Sequence, residues 1–241
     1  MSLQEFYEGK TLFITGALGF LGKILLAKLM RVGNVKEVLL LVRPKKDKTA
    51  QDRLDEVLSG FLFQEMEKFD RNFRAKLKVI NGDMETEGLG ISSADRDYII
   101  ENTEIIIHGA ATVRFDEALL KAIAVNVRGT KILLDLGQKV KNLQNFVHIS
   151  TAYSNCPRKT IDEVFYESPL DYRYAIKLLE DFDADEINAI TDKLMRPWPN
   201  TYTFSKAISE DMIRQYLGSM PIAVIRPSIG DDILDLIIPI L

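Results

Sequence analysis

The feature that most constrains the fold is a strand–turn–helix pattern near the start of the chain. Thr11–Thr15 is a short apolar, β-branched run of the kind that forms a buried strand. Three glycines, Gly16, Gly19 and Gly22, follow at a fixed spacing, and apolar residues then recur at helical intervals. A buried strand followed by a glycine turn and a helix predicts an α/β fold that begins with a parallel strand.

The glycine turn has the composition of a phosphate-binding loop. Gly16 can adopt the tight turn without a Cβ clash, and Gly19 lets backbone N–H groups approach a pyrophosphate. Gly22 lets the helix pack closely on the strand, and the helix N-terminus, with Phe20 and Leu21, adds positive potential for an anion. The spacing is GxxGxxG, one residue longer at the first turn than the common fingerprint, and a glycine turn without a ligand is the alternative.

Composition narrows the class of protein. The chain has 241 residues, of which 46% are hydrophobic, and a net charge of −4, which fits one large α/β domain and gives no electrostatic case for a nucleic-acid partner. Its single cysteine, Cys156, excludes an intrachain disulfide and suits an intracellular, reducing compartment. With two histidines and one cysteine, no metal site is expected. We also expect no secretory signal, and no apolar run reaches the roughly 20 residues of a membrane span.

Five further apolar runs predict the remaining strands of a doubly wound, mostly parallel sheet. They are Glu37–Val42, Leu77–Ile80, Ile105–Ile107, Phe146–Ile149 and Ile222–Ile225. Between them we predict a long helix over 115–140 that contains Asn126, an excursion from the sheet over 155–199, and a helix from Asn200 to about Gly218. Residues 1–229 would thus form one domain, followed by an apolar tail at 230–241.

The end of the second predicted strand bears on the choice of cofactor. Arg43 stands roughly 20 residues beyond the glycine turn, where an acidic residue would bind the ribose 2′-hydroxyl of NAD. A cation there, with Lys45 and Lys46 close behind, suits the 2′-phosphate of NADPH. A solvated basic loop is the alternative interpretation.

Small and polar residues follow the other strands, where an open α/β sheet binds its ligands. Asp83 and Met84 come after the third strand, and Asp83 could accept from an adenine amino group or cap its own turn. Ala110 and Ala111 follow the fourth strand, where small side chains allow close approach of a ligand. His108, just before them, is expected to be packed or hydrogen-bonded at the end of the strand.

Hydroxyl groups and an amine complete the candidate site. Ser150 and Thr151 end the fifth strand, where they could contact a ligand or cap a turn. Tyr202 and Lys206 lie four apart on one face of the helix after Asn200. A phenol needs a nearby cation to act as an acid or base near neutral pH, and Lys206 would supply it.

Together these motifs resemble the extended short-chain dehydrogenase/reductases, and more narrowly the alcohol-forming fatty acyl-CoA reductases. The resemblance rests on FYEGKTLFITGALGFLGK, LLLVRPK, HGAATVRFDE, VHISTAYSNC, WPNTYTFSKA and AVIRPSI, which span residues 6–229. It implies a Rossmann-like fold and NADPH-dependent reduction of a fatty acyl-CoA to an alcohol. It also implies that Tyr202, Lys206 and a hydroxyl of Thr151, or less favourably Ser150, are catalytic, and it adds Pro227 and Ile229 to the cofactor site.

Three further expectations follow from the resemblance. Members of the family usually lie on peroxisomal or endoplasmic reticulum membranes, and a homo-oligomer would be in keeping with an exposed apolar tail. The family continues into a substrate lobe and a C-terminal domain, whereas Gly230–Leu241 does not match it, so we expect a fragment, a shortened isoform or a mis-joined gene model. The alternatives are a catalytically inactive NADPH-binding module, a sugar-nucleotide epimerase or a related thioester reductase.

Overall fold

A sheet of six parallel strands forms the centre of the molecule. In this computed structural model, which describes residues 2–228, the strands are β1 (Thr11–Thr15), β2 (Glu37–Val42), β3 (Leu77–Asn81), β4 (Ile105–His108), β5 (Asn145–Ile149) and β6 (Ile222–Ile225). Their order across the sheet is β3-β2-β1-β4-β5-β6, and every neighbouring pair is parallel. All six predicted strands are confirmed, each within one residue of its predicted ends. The order reverses between β1 and β4, where an open sheet of this kind forms its ligand crevice.

Ten α-helices flank the sheet in the described part of the chain. They are α1 (Leu3–Tyr7), α2 (Phe20–Val32), α3 (Ala50–Leu58), α4 (Phe61–Phe69), α5 (Ser93–Asn102), α6 (Leu119–Ala122), α7 (Gly129–Gly137), α8 (Tyr172–Asp181), α9 (Ala184–Met195) and α10 (Thr201–Arg214). Short 3₁₀ segments cover Phe73–Lys76 and Glu87–Gly90, and a π-helical segment covers Ile123–Arg128. No helix among residues 2–228 is both long and apolar enough to cross a bilayer.

The sheet is covered on both faces, as continuous apolar strands require. Leu12 and Ile14 belong to a core with residues of α2, α3 and α4, whereas Phe13 belongs to a second core with residues of α7 and α10. Successive side chains of β1 therefore enter different cores, which confirms the doubly wound architecture.

The predicted helix over 115–140 is shorter and interrupted. It runs from Leu119 to Gly137, and its central turn is the π-helical segment that contains Asn126. The Asn126 amide donates to the carbonyl oxygen of Thr112 at 3.1 Å and to Ser205 Oγ at 2.9 Å, and its Oδ1 accepts from the Thr112 N–H at 2.9 Å. Asn126 therefore joins this helix to the β4 loop and to α10.

The helix that carries Tyr202 begins as predicted but ends early. Asn200 is its N-cap, and Asn200 Oδ1 accepts from the Thr203 N–H at 2.9 Å. The predicted end at Gly218 is wrong by four residues because the last turn tightens after Arg214, and Gly218 adopts a φ of +86° as the chain turns towards β6.

The segment 155–199 holds α8 and α9 and contributes no strand to the sheet in the described structure, as an excursion would. Both helices pack on the α6 region of the chain, α8 on the π-helical segment and α9 on α6 itself. Ile229 and the tail at 230–241 lie outside the described residues.

Candidate functional site

A cavity of about 1090 Å³ opens at the carboxyl edge of the sheet. It extends along the crevice between the ends of β1, β2, β4 and β5. Every predicted site residue within 2–228 lines it: Gly16, Gly19, Phe20, Leu21, Gly22, Arg43, Asp83, Met84, Ala110, Ala111, Thr151, Tyr202, Lys206 and Pro227. The structure thus brings together, in one cavity, residues as far apart in the chain as Gly16 and Pro227.

The glycine turn can be formed only by glycines at two positions. Gly16 has a φ of +79°, and a Cβ added to it would lie 2.5 Å from the carbonyl carbon of Gly109. A Cβ on Gly22 would lie 2.1 Å from the carbonyl oxygen of Gly16. Gly19 is the N-cap of α2 and has no side chain to bond the amides of the first turn. The turn therefore leaves a shallow backbone cradle at a helix N-terminus, and this fits the pyrophosphate of a dinucleotide.

A buried histidine on β4, His108, is hydrogen-bonded to Thr15, the last residue before the glycine turn. His108 Nδ1 lies 2.7 Å from Thr15 Oγ1, and Thr15 Oγ1 accepts a hydrogen bond from the Ala110 N–H at 3.2 Å. His108 Nε2 lies 2.8 Å from Thr130 Oγ1, and burial lowers the pKa of His108 to about 3. His108 is thus a neutral, packed residue at the end of its strand, as predicted.

Two arginines, only one of them predicted, lie at the far end of the cavity. Arg53 Nη1 donates to the carbonyl oxygen of Arg43 at 2.6 Å, and both residues line the cavity. Lys45 and Lys46, which follow Arg43 in the sequence, do not line the cavity; the chain turns back there through a hydrogen-bonded Lys45–Lys48 bridge.

Asp83 caps its own turn and also lines the cavity. Its Oδ1 accepts from the Glu85 N–H at 3.0 Å, so it caps the turn after β3. Its Oδ2 lies 3.5 Å from Arg43 Nη1, and the residue lines the cavity. Turn capping consequently does not remove Asp83 from the site.

Tyr202, Lys206 and Thr151 meet at the opposite end of the cavity. Lys206 is only 2% exposed, and its Nζ donates to the carbonyl oxygen of Ile149 at 2.8 Å and lies 2.9 Å from His148 Nε2. Burial lowers the pKa of Lys206 to about 7, an effect that the negative charge of Glu210 opposes. The Tyr202 side chain is hydrogen-bonded to Thr151.

The expectation that Lys206 lowers the pKa of Tyr202 is contradicted. Burial raises the pKa of Tyr202, and the hydrogen bond with Thr151 offsets this only in part. The physical reason is that Lys206 is directed towards β5, where it bonds Ile149 and His148. Tyr202 is therefore a protonated phenol, able to donate a proton or a hydrogen bond at neutral pH.

The two strand-end hydroxyls have different partners. Ser150 Oγ donates to Glu210 Oε1, and Ser154 Oγ and the Asn155 amide also bond the carboxylate of Glu210. Ser150 is thus engaged away from Tyr202, and Thr151 is the hydroxyl that accompanies it.

Phe115 and Val113 are apolar residues of this site to which the sequence assigned no role. Phe115 is 65% exposed and stacks on the Tyr202 ring, with centroids 6.1 Å apart and planes at 27°. Val113 is also exposed, and both residues line the cavity. Their motif, TVRFDE, was visible in the sequence, but only the fold shows that it reaches the phenol.

Comparison with known proteins assigns the chain to a family. A family model of NAD-binding domains, described as male sterility protein, matches residues 14–230. The chain belongs to this family. The match covers the glycine turn, Thr151, Tyr202 and Lys206, so this member carries a domain for binding a nicotinamide dinucleotide.

Curated relatives confirm the predicted resemblance to fatty acyl-CoA reductases. The chain is 46% identical over 230 residues to fatty acyl-CoA reductase 1 of Homo sapiens, a match that covers 95% of this chain and 45% of the relative. It is 40% identical over 227 residues to fatty acyl-CoA reductase wat of Drosophila melanogaster, covering 94% of this chain and 44% of the relative. The chain thus spans less than half the length of these relatives.

Solved structures with low sequence identity share the fold. The terminal R domain of the myxalamid PKS-NRPS pathway matches with a TM-score of 0.64 at 22% identity, covering 92% of this chain and 49% of that domain. The Bordetella bronchiseptica enzyme WbmG, solved in complex with NAD, matches with a TM-score of 0.55 at 18% identity, covering 91% and 53%. These likenesses confirm the Rossmann-like α/β architecture.

Proposed function

We propose that this chain binds NADPH and reduces the thioester carbonyl of a long-chain fatty acyl-CoA, by way of an aldehyde, to a fatty alcohol. One observation carries the proposal: a single cavity joins the glycine turn to Tyr202, Lys206 and Thr151. The substrate class is supported by the relatives, which are named fatty acyl-CoA reductases.

The side chains at the reacting end suit reduction of a carbonyl. When bound, NADPH would supply one hydride to the thioester carbonyl carbon, with loss of coenzyme A as its thiol, and a second NADPH would supply the hydride that reduces the aldehyde to the alcohol. The Tyr202 and Thr151 hydroxyls are hydrogen-bonded to each other and can both be directed at the oxygen on which negative charge develops. Because burial raises the pKa of Tyr202, its phenol keeps the proton that this oxygen must receive.

Lys206 has one donor left for the cavity. An ammonium carries three N–H groups, and two of those of Lys206 are directed at Ile149 and His148. The third is available to a hydroxyl of the bound cofactor or to Tyr202, which would place a positive charge beside the developing oxyanion.

The choice of NADPH is supported by charge at the other end. Arg43 and Arg53 line the cavity next to each other, and a guanidinium is well suited to bind a phosphate through paired hydrogen bonds. Asp83 is paired with Arg43, so one of the two cations is partly neutralised and Arg53 supplies the remaining positive charge.

The substrate assignment is also supported by the apolar residues beside Tyr202. Phe115 stacks on the phenol while most of its surface stays exposed, and Val113 is exposed on the same loop. A fatty acyl chain attached to the reacting carbonyl would cover this surface, whereas a sugar nucleotide would leave it in water.

The test is NADPH oxidation by the purified chain with palmitoyl-CoA, compared with Tyr202→Phe and with the exposed-tyrosine control Tyr174→Phe. We expect Tyr202→Phe to lower kcat by about 100-fold or more, the usual scale of a lost general acid, and Tyr174→Phe to leave it unchanged. Tight NADPH binding without turnover in the wild-type chain would contradict the reductase and support an inactive binding module.

The cofactor assignment is tested by binding alone. Titration of Arg43→Ala with NADPH and with NADH should show a loss of affinity for NADPH about ten-fold larger than for NADH, since only NADPH carries the 2′-phosphate. Equal losses would contradict NADPH as the preferred cofactor.

A further inference from the structure

The only two histidines of the chain lie side by side beneath the cavity. His108 on β4 pairs in register with His148 on β5, and both are fully buried. Their ring centroids are 5.1 Å apart. One ring contacts the strand that leads into the glycine turn and the other contacts Lys206.

The tautomer of His108 follows from its two hydroxyl neighbours. Thr130 donates its only hydroxyl proton to the carbonyl oxygen of Asn126 at 2.6 Å, so it can only accept from His108 Nε2. His108 therefore carries its proton on Nε2. Its bare Nδ1 accepts from Thr15 Oγ1, whose lone pairs accept from the Ala110 N–H.

His148 must be the opposite tautomer. Its Nε2 lies 2.9 Å from Lys206 Nζ, and below the Lys206 pKa of about 7 the ammonium can donate but cannot accept. The Nε2 atom is therefore bare and the proton is on Nδ1, which is buried and has no hydrogen-bond partner among the described residues. The ring is thus oriented by its one bond to Lys206 and by packing against His108.

We infer that His148 is a positioning residue for Lys206, holding the ammonium by accepting a hydrogen bond at Nε2. With the carbonyl oxygen of Ile149, it occupies two of the three N–H groups and aims the third at the cavity. Its consequence for turnover rests on the proposed function, whereas the hydrogen bond itself does not.

The groups around Lys206 explain why an uncharged acceptor such as His148 Nε2 affects the charge state of the amine. From its own helix, Lys206 faces Tyr202 and Glu210; from β4 and β5 it faces the two neutral histidines. The carboxylate of Glu210 is shared with Arg226, which follows β6. Since burial already disfavours the charged amine, an uncharged acceptor at hydrogen-bond distance stabilises the ammonium without adding a second charge.

The first experiment reads the hydrogen bond directly and needs no activity. In the ¹⁵N-histidine-labelled full chain, long-range ¹H–¹⁵N spectra contain two imidazoles, assigned by His108→Asn. We expect His148 to be neutral and protonated on Nδ1 from pH 5.5 to 7, and His108 to be neutral and protonated on Nε2. A His148 ring protonated on Nε2, or charged in this range, would overturn the inference.

The second experiment compares His148→Leu, which removes the acceptor, with His148→Gln, whose side-chain oxygen can replace it. In His148→Leu the pH of half-maximal kcat should fall by about one unit, because a hydrogen bond to a charged group is lost, and His148→Gln should restore most of the shift. NADPH affinity and thermal unfolding report whether each variant is folded.

The outcomes separate the two proposals. Identical pH profiles for wild type, His148→Leu and His148→Gln would overturn the positioning role, even if the variants differed in stability. If the wild-type chain turned nothing over, the proposed function would fail, and the tautomer of His148 would decide this inference alone. If His148→Leu did not fold, the wild-type spectrum and the His148→Gln profile would still decide it.

Discussion

The carboxylate of Glu210 and the guanidinium of Arg226 form a paired contact inside the protein. Arg226 Nη2 lies 2.8 Å from Glu210 Oε2, and Arg226 Nε lies 3.1 Å from Oε1. Arg226 also donates to the carbonyl oxygens of Asp162 and Val164. Because Glu210 also accepts from Ser150, one carboxylate joins the loop that holds Thr151, the excursion at 155–199 and the segment after β6.

Glu210→Gln should therefore lower the free energy of unfolding by about 3 kcal/mol, the usual cost of leaving one member of a buried ion pair without its counter-charge. Glu210 is 1% exposed, so water cannot replace the lost charge. Urea unfolding measures the change. Glu180→Gln, an exposed carboxylate on α8, is the control and should change stability by less than about 0.5 kcal/mol. Equal effects of the two substitutions would contradict the prediction.

Gly22→Ala should weaken NADPH binding by at least about ten-fold, because its Cβ would overlap the Gly16 carbonyl oxygen and displace the turn. Gly9→Ala is the control: Gly9 precedes β1, has a φ of +69° and has open space around its Cβ position. Gly9→Ala should lower the free energy of unfolding by about 1 kcal/mol, because alanine is strained at positive φ, and should leave the affinity for NADPH unchanged. Fluorescence titration with NADPH gives both dissociation constants, and wild-type affinity in Gly22→Ala would refute the cradle.

Arg53→Ala should lower the affinity for NADPH by about ten-fold and that for NADH by much less, since a guanidinium contact to a phosphate is lost. The reference substitution is Arg71→Ala, an exposed arginine that does not line the cavity. Calorimetric titration with both dinucleotides distinguishes the two variants. A loss shared equally between NADPH and NADH would show that Arg53 acts only by supporting the backbone of Arg43.

The two histidines should make the chain sensitive to mild acid. Burial lowers the pKa of His108 to about 3 and that of His148 well below its usual value, whereas both titrate near 6.5 when unfolded. Unfolding then takes up two protons as the pH falls below 6.5, so stability present above that pH is lost at about 2.7 kcal/mol per unit. Urea unfolding at pH 6.5, 5.5 and 4.5 measures the slope. His148→Gln should halve it, and an unchanged slope in that variant would argue against the prediction.

Sequence patterns were sufficient for the sheet because buried parallel strands are continuous β-branched runs, and all six stand out between polar segments. They were also sufficient for Tyr202 and Lys206, whose four-residue spacing places them on one helix face. The same spacing extends to Glu210, so its position on that face was readable from the chain. Its partner Arg226 was not, because only the packing of β6 against β5 brings them together.

Other features depend on tertiary contacts that leave no local signal. Arg53 reaches the cavity only because α3 packs beside the end of β2. Nothing in the sequence marks it as a cavity residue in preference to Lys45 or Lys46. The pKa of Tyr202 was predicted in the wrong direction because the spacing shows that Lys206 is near but not that β5 offers it better acceptors.

From Thr203 to Ile213, every residue of α10 is buried, including its hydroxyls, its lysine and its two carboxylates. The helix that carries Tyr202 and Lys206 thus has no solvent-exposed face between these residues, and a substitution there changes a contact with another element. The loop bearing Val113 and Phe115 differs in this respect: its exposed side chains at the mouth of the cavity can be exchanged without opening the core, so the shape of the mouth can change independently of α10.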